Sequence, residues 1–220
     1  MSKTLVLDFG GVITKTLFET HAATEAVLGL PTGTLKWTGP FDPETDPLWR
    51  AMQADEITER DYWITRTREV GALIGENWTE MSQMLMAARG DAPDAVIRPE
   101  FLAFLSAARA AGCKTAILSN ELDLFYDPAF RSRLAFMSEI DVTHDGTYTR
   151  VLKPDSKAYI ALLRELEVAA ETCVFVDDQA RNIAGAQSVG MPTIHFDVMN
   201  PKGSFEAAAG LLGLTERIPL

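Results

Sequence analysis

The stretch LVLDFGGVIT, residues 5–14, runs through an unbroken apolar segment to one acid, Asp8, and then to the glycine pair Gly10 and Gly11. A short apolar run without polar alternation is the pattern of a strand covered on both faces, as in a parallel sheet. The glycines mark a sharp turn where the strand ends.

Three further runs share this character: KTAILSN (114–120), TCVFVDD (172–178) and the shorter MPTIHFD (191–197). Helical patterns separate them. PEFLAFLSAARAAG (99–112) has apolar residues three and four apart, with Pro99 placed for a helix start and Gly112 for its end. DSKAYIALLRELEV (155–168) and RNIAGAQSVG (181–190) repeat the periodicity. Strand and helix alternating over residues 93–197 predict an α/β fold, a doubly wound parallel (Rossmann-like) sheet with right-handed crossovers. The Asp145-Gly146 pair inside DVTHDGTYTRV (141–151) predicts a hairpin.

Residues 15–92 carry no convincing strand. Three amphipathic stretches, 19–30, 58–75 and 79–89, predict helices, and PTGTLKWTGPFDPETDP (31–47) predicts a loop. The expected organisation is an α/β core of residues 1–15 and 91–220, with a helical insertion at 16–90. Within the insertion, Met81, Met84 and Met86 with Trp63 and Trp78 suit ordinary helix packing better than a ligand groove. Arg66 and Arg68 suit pairing with nearby acids on a solvated face.

At 220 residues and 47% hydrophobic, the chain can bury a sizeable core. No stretch approaches the roughly 18 apolar residues of a membrane span, and MSKTLVLDFGG lacks a signal-peptide layout, so a soluble cytoplasmic protein is expected. Cys113 and Cys173 both lead into apolar runs and read as buried thiols. The formal net charge of −11 repels phosphate backbones, which argues against nucleic acid and anionic membranes as partners. An anionic substrate then needs a locally positive site.

In an open α/β sheet the ligand crevice lies at the carboxyl ends of the strands. The polar residues gather there: Asp8 after the first strand, Ser119-Asn120 after the second, Asp177-Asp178 after the third, and Lys153 before a helix. Close carboxylates repel unless a cation intervenes, and a hard divalent ion with oxygen ligands, most simply Mg²⁺, suits them. Lys153 adds a compact positive charge. Ser119 and Asn120 also suit a helix cap, and Lys153 a solvated turn. His21, His144 and His195 show no metal-ligand spacing, and only His21 follows the first motif closely enough to reach the crevice.

Taken in order, LDFGGVIT, ILSN, LKPDSKAY and VFVDDQARNIAGAQSVGM resemble the four motifs of the haloacid dehalogenase-like hydrolases. The helical insertion is similar to that superfamily's small α-helical cap (subfamily I). The nearest likeness is to members whose first motif reads D-x-G-[GN]-V, among them sugar-phosphate phosphatases. The resemblance implies a Mg²⁺-dependent phosphatase acting on a small phosphorylated metabolite, as monomer or homodimer. Asp8 is then the nucleophile that forms an aspartyl-phosphate. Ser119, Asn120, Lys153 and the Gly11 amide bind substrate; Asp8, the Gly10 carbonyl and Asp178 hold the metal; Asp177 and Asn182 orient it. The alternatives are a 2-haloacid dehalogenase, which uses the same aspartate on carbon without Mg²⁺, and a catalytically weak module that binds phosphometabolites.

One position departs from the resemblance. Most phosphatases of this superfamily carry a second acid two residues after the nucleophile, where this chain has Gly10. The carbonyl ligand survives in glycine, but the general acid does not, and such groups typically contribute about 10²–10⁴-fold.

Overall fold

The structure, a computed structural model, describes residues 3–89 and 92–214. The four apolar runs form β1 (Thr4–Leu7), β2 (Lys114–Ser119), β4 (Cys173–Asp177) and β5 (Thr193–His195), and a further strand, β3, spans Val142–Asp145. All pair in parallel, in the order β3-β2-β1-β4-β5. The central strands show why their sequences do not alternate: Leu5, Val6, Leu7, Ala116, Ile117, Phe175 and Val176 are all completely buried. Connections from β1 step one way along the sheet, while β4 and β5 lie on its other side. The strand order therefore reverses between β1 and β4, and their carboxyl ends flank the crevice where α/β sheets bind ligands.

The hairpin expected at Asp145-Gly146 is absent; the chain instead ends β3 at Asp145 and turns into a short helix, Gly146–Thr149. The cause is the Asp145 carboxylate, which accepts from the backbone N–H groups of Leu122 (3.1 Å), Asp123 (2.9 Å) and Thr147 (2.9 Å). Capping two helical turns satisfies more donors than a hairpin would offer this side chain. Glycine is required next to it, because a Cβ at Gly146 would lie 2.3 Å from the Asn120 carbonyl oxygen.

The chain divides into two units. One comprises residues up to Lys15, Ile97–Asp123 and the chain from Leu134; the other comprises Thr16–Val96 and Leu124–Arg133. The boundary expected between residues 90 and 91 lies outside the described residues. The second unit is helical, with α1 (His21–Val27), α2 (Pro47–Gln53), α3 (Glu59–Leu73) and α4 (Met81–Arg89). Its caps are local: Asp46 accepts from Trp49 N ahead of Pro47, and Thr58 and Asp61 form a reciprocal capping box on α3. The 31–47 stretch contains two short 3₁₀ turns and is tied by Glu25, which accepts from Leu35 N (2.7 Å) and Gly33 N (2.9 Å).

Aromatic rings fill this unit. Phe18 sits 5.3 Å from both Trp37 and Trp49 and 5.5 Å from Trp63, and Tyr62 packs 4.9 Å from Trp63. Buried Asp46 accepts from the Tyr62 hydroxyl and pairs with Arg66, whose guanidinium also lies over the Trp37 and Tyr62 rings and meets Glu69 at 2.7 Å. Arg66 is thus held inside the unit rather than on a solvated face. Met81 and Met84 are buried as packing residues, whereas Met86 is exposed.

In the α/β unit the helices are α5 (Pro99–Ala110), α6 (Leu122–Tyr126, which straddles the boundary), α8 (Gly146–Thr149), α9 (Ser156–Leu166), α10 (Ala180–Ser188) and α11 (Pro201–Leu212), while α7 (Pro128–Arg131) belongs to the helical unit. Apolar faces of α9 and α10 cover the sheet through Tyr159, Leu162, Ile183 and Ala186 against Val6, Ala116 and Phe175. Phe205 of α11 packs on Phe104 of α5 and on Phe196. Cys113 and Cys173 are buried free thiols, and burial pushes the Cys173 thiol up to about 11. Among the described residues no helix is long and apolar enough to cross a membrane.

His21 joins the aromatic cluster, 4.1 Å from the Trp37 ring. Burial, reinforced by Arg66 and opposed by Glu25, pushes its imidazole from the ordinary 6.5 down to about 4. The fold thus excludes a proton that the unfolded chain binds, so His21 should lower stability as the pH falls from about 6.5 toward 4 and have no effect above that window. Urea midpoints at pH 7 and pH 5 should drop further for the wild type than for His21→Gln; equal drops would remove His21 as the cause.

Candidate active site

The site is built on what the ends of β1 and β4 hold in place. Asp8 is the first residue past β1, and its N–H still donates to the Val176 carbonyl of β4 at 2.9 Å, fixing the side chain at the switch point. Asp177 ends β4 and is completely buried. The carboxylates of Asp8, Asp177 and Asp178 all lie within 4.8 Å of one another. Lys153 spans two of them: its Nζ donates to Asp8 Oδ1 at 2.8 Å and to Asp177 Oδ2 at 2.6 Å, above the Phe175 ring.

Burial dominates the electrostatics of Asp8 and pushes its carboxyl up to about 7, with Lys153 opposing and Asp177 adding to the rise. Burial also works against the Lys153 charge, yet Asp177 and Asp8 together hold it above the ordinary lysine range. Asp177 is further engaged by the N–H of Gln179 (2.8 Å) and by Asn182 Nδ2 (3.0 and 3.1 Å).

The turn after Asp8 depends on its glycines. Gly10 is extended (φ −72°, ψ 127°) and Gly11 takes φ 81°, a left-handed conformation that L side chains rarely adopt. The Gly11 N–H makes a long 3.4 Å contact with Thr14 Oγ1, so the structure directs this amide into the turn. Its carbonyl accepts from Nε and Nη2 of Arg98, at 3.1 and 3.0 Å. Arg98 is itself buried over the Phe196 ring, and its N–H donates to Ile13 O at 3.0 Å. The sequence reading did not single out Arg98; its signal is a charge set between the apolar residues of AVIRPEFLAFL (95–105), where a solvated arginine has no face to occupy.

Asn120 sits where the second motif ends, but its amide is committed to the backbone of Lys153, with Oδ1 accepting from Lys153 N (2.6 Å) and Nδ2 donating to Lys153 O (3.2 Å). It therefore positions the lysine. Ser119 is the last residue of β2, and Tyr159 O–H donates to the Asn182 carbonyl at 2.7 Å, bracing α10 beneath the cluster. His144 contacts Glu165 (3.3 Å), away from this cluster, and His195 Nε2 meets the main-chain carbonyl of Asp178 (3.1 Å), while His21 belongs to the helical unit's aromatic cluster.

These residues fit a divalent cation. Three carboxylates face one ammonium, which leaves an excess of negative oxygen in a desolvated place. The buried Asn182 Oδ1, which has no hydrogen-bond partner among the described residues, adds a further acceptor. An all-oxygen donor set of this kind suits Mg²⁺.

Residues 2–190 match the haloacid dehalogenase-like hydrolase family, and the chain belongs to it. It is accordingly a hydrolase. Phosphatase MT3486 of Mycobacterium tuberculosis (strain CDC 1551 / Oshkosh) is 29% identical over 193 residues, covering 85% of this chain and 83% of that protein. Among solved structures, L-2-haloacid dehalogenase from Xanthobacter autotrophicus superposes with a TM-score of 0.58 at 22% identity, covering 89% of this chain and 78% of that one. CbbY from Rhodobacter sphaeroides, in complex with phosphate, gives 0.54 at 18%, covering 88% and 85%. The fold is thus similar to that of proteins with different chemistries, and the site residues have to decide between them.

Removing the Arg98 guanidinium would leave the buried Gly11 carbonyl without its donors. Arg98→Met is expected to lower the unfolding free energy by about 1–3 kcal/mol, read by urea denaturation; an unchanged midpoint would mean that the turn holds itself.

Proposed function

We propose that the protein is a Mg²⁺-dependent phosphatase of small phosphorylated metabolites, sugar phosphates foremost, working through an aspartyl-phosphate on Asp8. The observation that carries this reading is the Lys153 ammonium bonded to both Asp8 and Asp177, with Asp178 completing an oxygen cluster. A haloacid dehalogenase needs no cation, and a third carboxylate beside the buried pair would only hinder it. The phosphatase name of the mycobacterial relative points the same way.

In this reading Mg²⁺ is held by Asp8, the Gly10 carbonyl and Asp178, with Asp177 and Asn182 orienting the set. When bound, the ion supplies positive charge against the phosphoryl oxygens. A carboxylate oxygen of Asp8 attacks phosphorus, and the bond from phosphorus to the leaving oxygen breaks, its electron pair departing with that oxygen. Lys153 holds Asp8 in line and offsets the charge of the transferring group, and Ser119 Oγ donates to a phosphoryl oxygen. Water then attacks phosphorus, the bond to Asp8 breaks, and orthophosphate leaves with the carboxylate restored. Gly10 provides no acid for the first step and no base for the second. The helical unit takes the role of the family's cap.

Hydrolysis of p-nitrophenyl phosphate by the full chain tests the reading. Turnover is expected with Mg²⁺ and should vanish with EDTA or in Asp8→Asn; a folded protein that binds Mg²⁺ yet releases no nitrophenol would leave a binding module instead.

The missing acid has its own signature. Aryl phosphates, whose leaving groups need no proton, should be hydrolysed about 10²-fold or more faster than alkyl phosphates. A kcat that is flat across leaving-group pKa would show that another group supplies the proton.

A further inference from the structure

The helical unit contains a second feature with the chemistry of a binding site. A cavity of about 290 Å³ opens between α1, α4 and residues 92–96, with Ala23, Val27, Met86, Ala92 and Ala95 among its walls. That volume lies at the small end of ligand pockets, which run from roughly 300 to 1,000 Å³. Val27 and Met86 are exposed at its rim, whereas Arg89, Thr24 and Val96, which also line it, are buried.

Arg89 is 7% exposed; its Nη2 donates to Thr20 Oγ1 at 2.8 Å, and its side chain also bonds that of Tyr126. Its Nε and Nη1 have no hydrogen-bond partner among the described residues. Those two atoms carry three N–H donors, one on Nε and two on Nη1. Burial weakens its charged form and pulls it below the ordinary arginine range; Tyr126 and Glu19 oppose this. Glu19, the acid nearest in effect, already accepts from Thr16 N (2.8 Å) and Thr16 Oγ1 (2.9 Å). A guanidinium does not deprotonate at ordinary pH, so a desolvated one bonded only to neutral hydroxyls, with Nε and Nη1 unused, favours an anion at those remaining donors. The apolar walls strengthen that attraction by lowering the local dielectric.

We propose that this cavity binds a small amphiphilic anion, a carboxylate or phosphate head on Arg89 with a short apolar body along Val27 and Met86. The site is independent of Asp8 and of the reading given above. Octanoate and octylphosphonate distinguish the two head groups, and octanol supplies the same body without charge.

Calorimetric titration of the full chain in EDTA tests the site. Saturable binding of at least one of the two anions is expected, about tenfold or more tighter than octanol, and unaffected by Asp8→Asn. Arg89→Gln should weaken it about tenfold or more, with Arg89→Lys intermediate. Ala88→Phe keeps the guanidinium and fills the cavity, and it should abolish binding; this variant decides the matter if Arg89→Gln fails to fold. Binding of the phosphonate alone would assign a phosphate head and of octanoate alone a carboxylate. The proposal fails if neither anion binds, if octanol binds as well, if Ala88→Phe leaves binding intact, or if Asp8→Asn abolishes binding.

Discussion

The structure turns on one ammonium among carboxylates. Lys153 reaches from the segment ahead of α9 to bond Asp8 and Asp177, the residues at the ends of the two strands that flank the switch point. Neither carboxylate could be buried there as an anion without a cation, because desolvation of a charge costs several kcal/mol even after relaxation. Everything around the lysine serves its placement: Asn120 clamps its backbone from the end of β2, Phe175 lies beneath its Nζ, and Tyr159 braces Asn182, which in turn braces Asp177. The same bonds leave the three carboxylates with one ammonium between them, a cluster short of positive charge.

The fold was legible where burial on two faces forces an unmistakable pattern. TLVL, KTAILS and CVFVD have no polar alternation because their strands lie in the middle of the sheet, and Pro99 and Gly112 mark the ends of α5 as their backbone chemistry requires. It was illegible where one side chain decides. Asp145-Gly146 is a good hairpin pair on local grounds, yet the Asp145 carboxylate caps two turns from elsewhere in the chain, and no local reading can weigh donors 22 and 23 residues away. Helix α2 escaped for a related reason: its seven residues begin at a proline in a Pro-rich stretch, and its cap, Asp46, is held by Tyr62 and Arg66 from α3.

The candidate site was legible as a set of strand ends, since Asp8, Ser119, Asp177 and Asp178 follow apolar runs. What the sequence could not give is which polar groups are already engaged. Asn120 and the Gly11 amide read as donors for substrate, but the structure bonds the first to Lys153 and turns the second toward Thr14. Arg98 is the converse case, a charge with no motif of its own that holds the carbonyl of the turn behind Asp8. Engagement is a property of three dimensions, and one-dimensional spacing does not report it.

Thr14 and Ile97 form an antiparallel bridge, and Arg98 N bonds Ile13 beside it, so the segment Thr16–Val96 leaves the sheet and returns to it at one stitched point. Eighty-odd intervening residues hang from that point as a parenthesis within the α/β sentence. An insertion whose two ends already touch adds little loop-closure entropy however long it becomes, because that cost grows only logarithmically with length. The insert can therefore be lengthened, shortened or exchanged while the strands, the lysine and the acids keep their register.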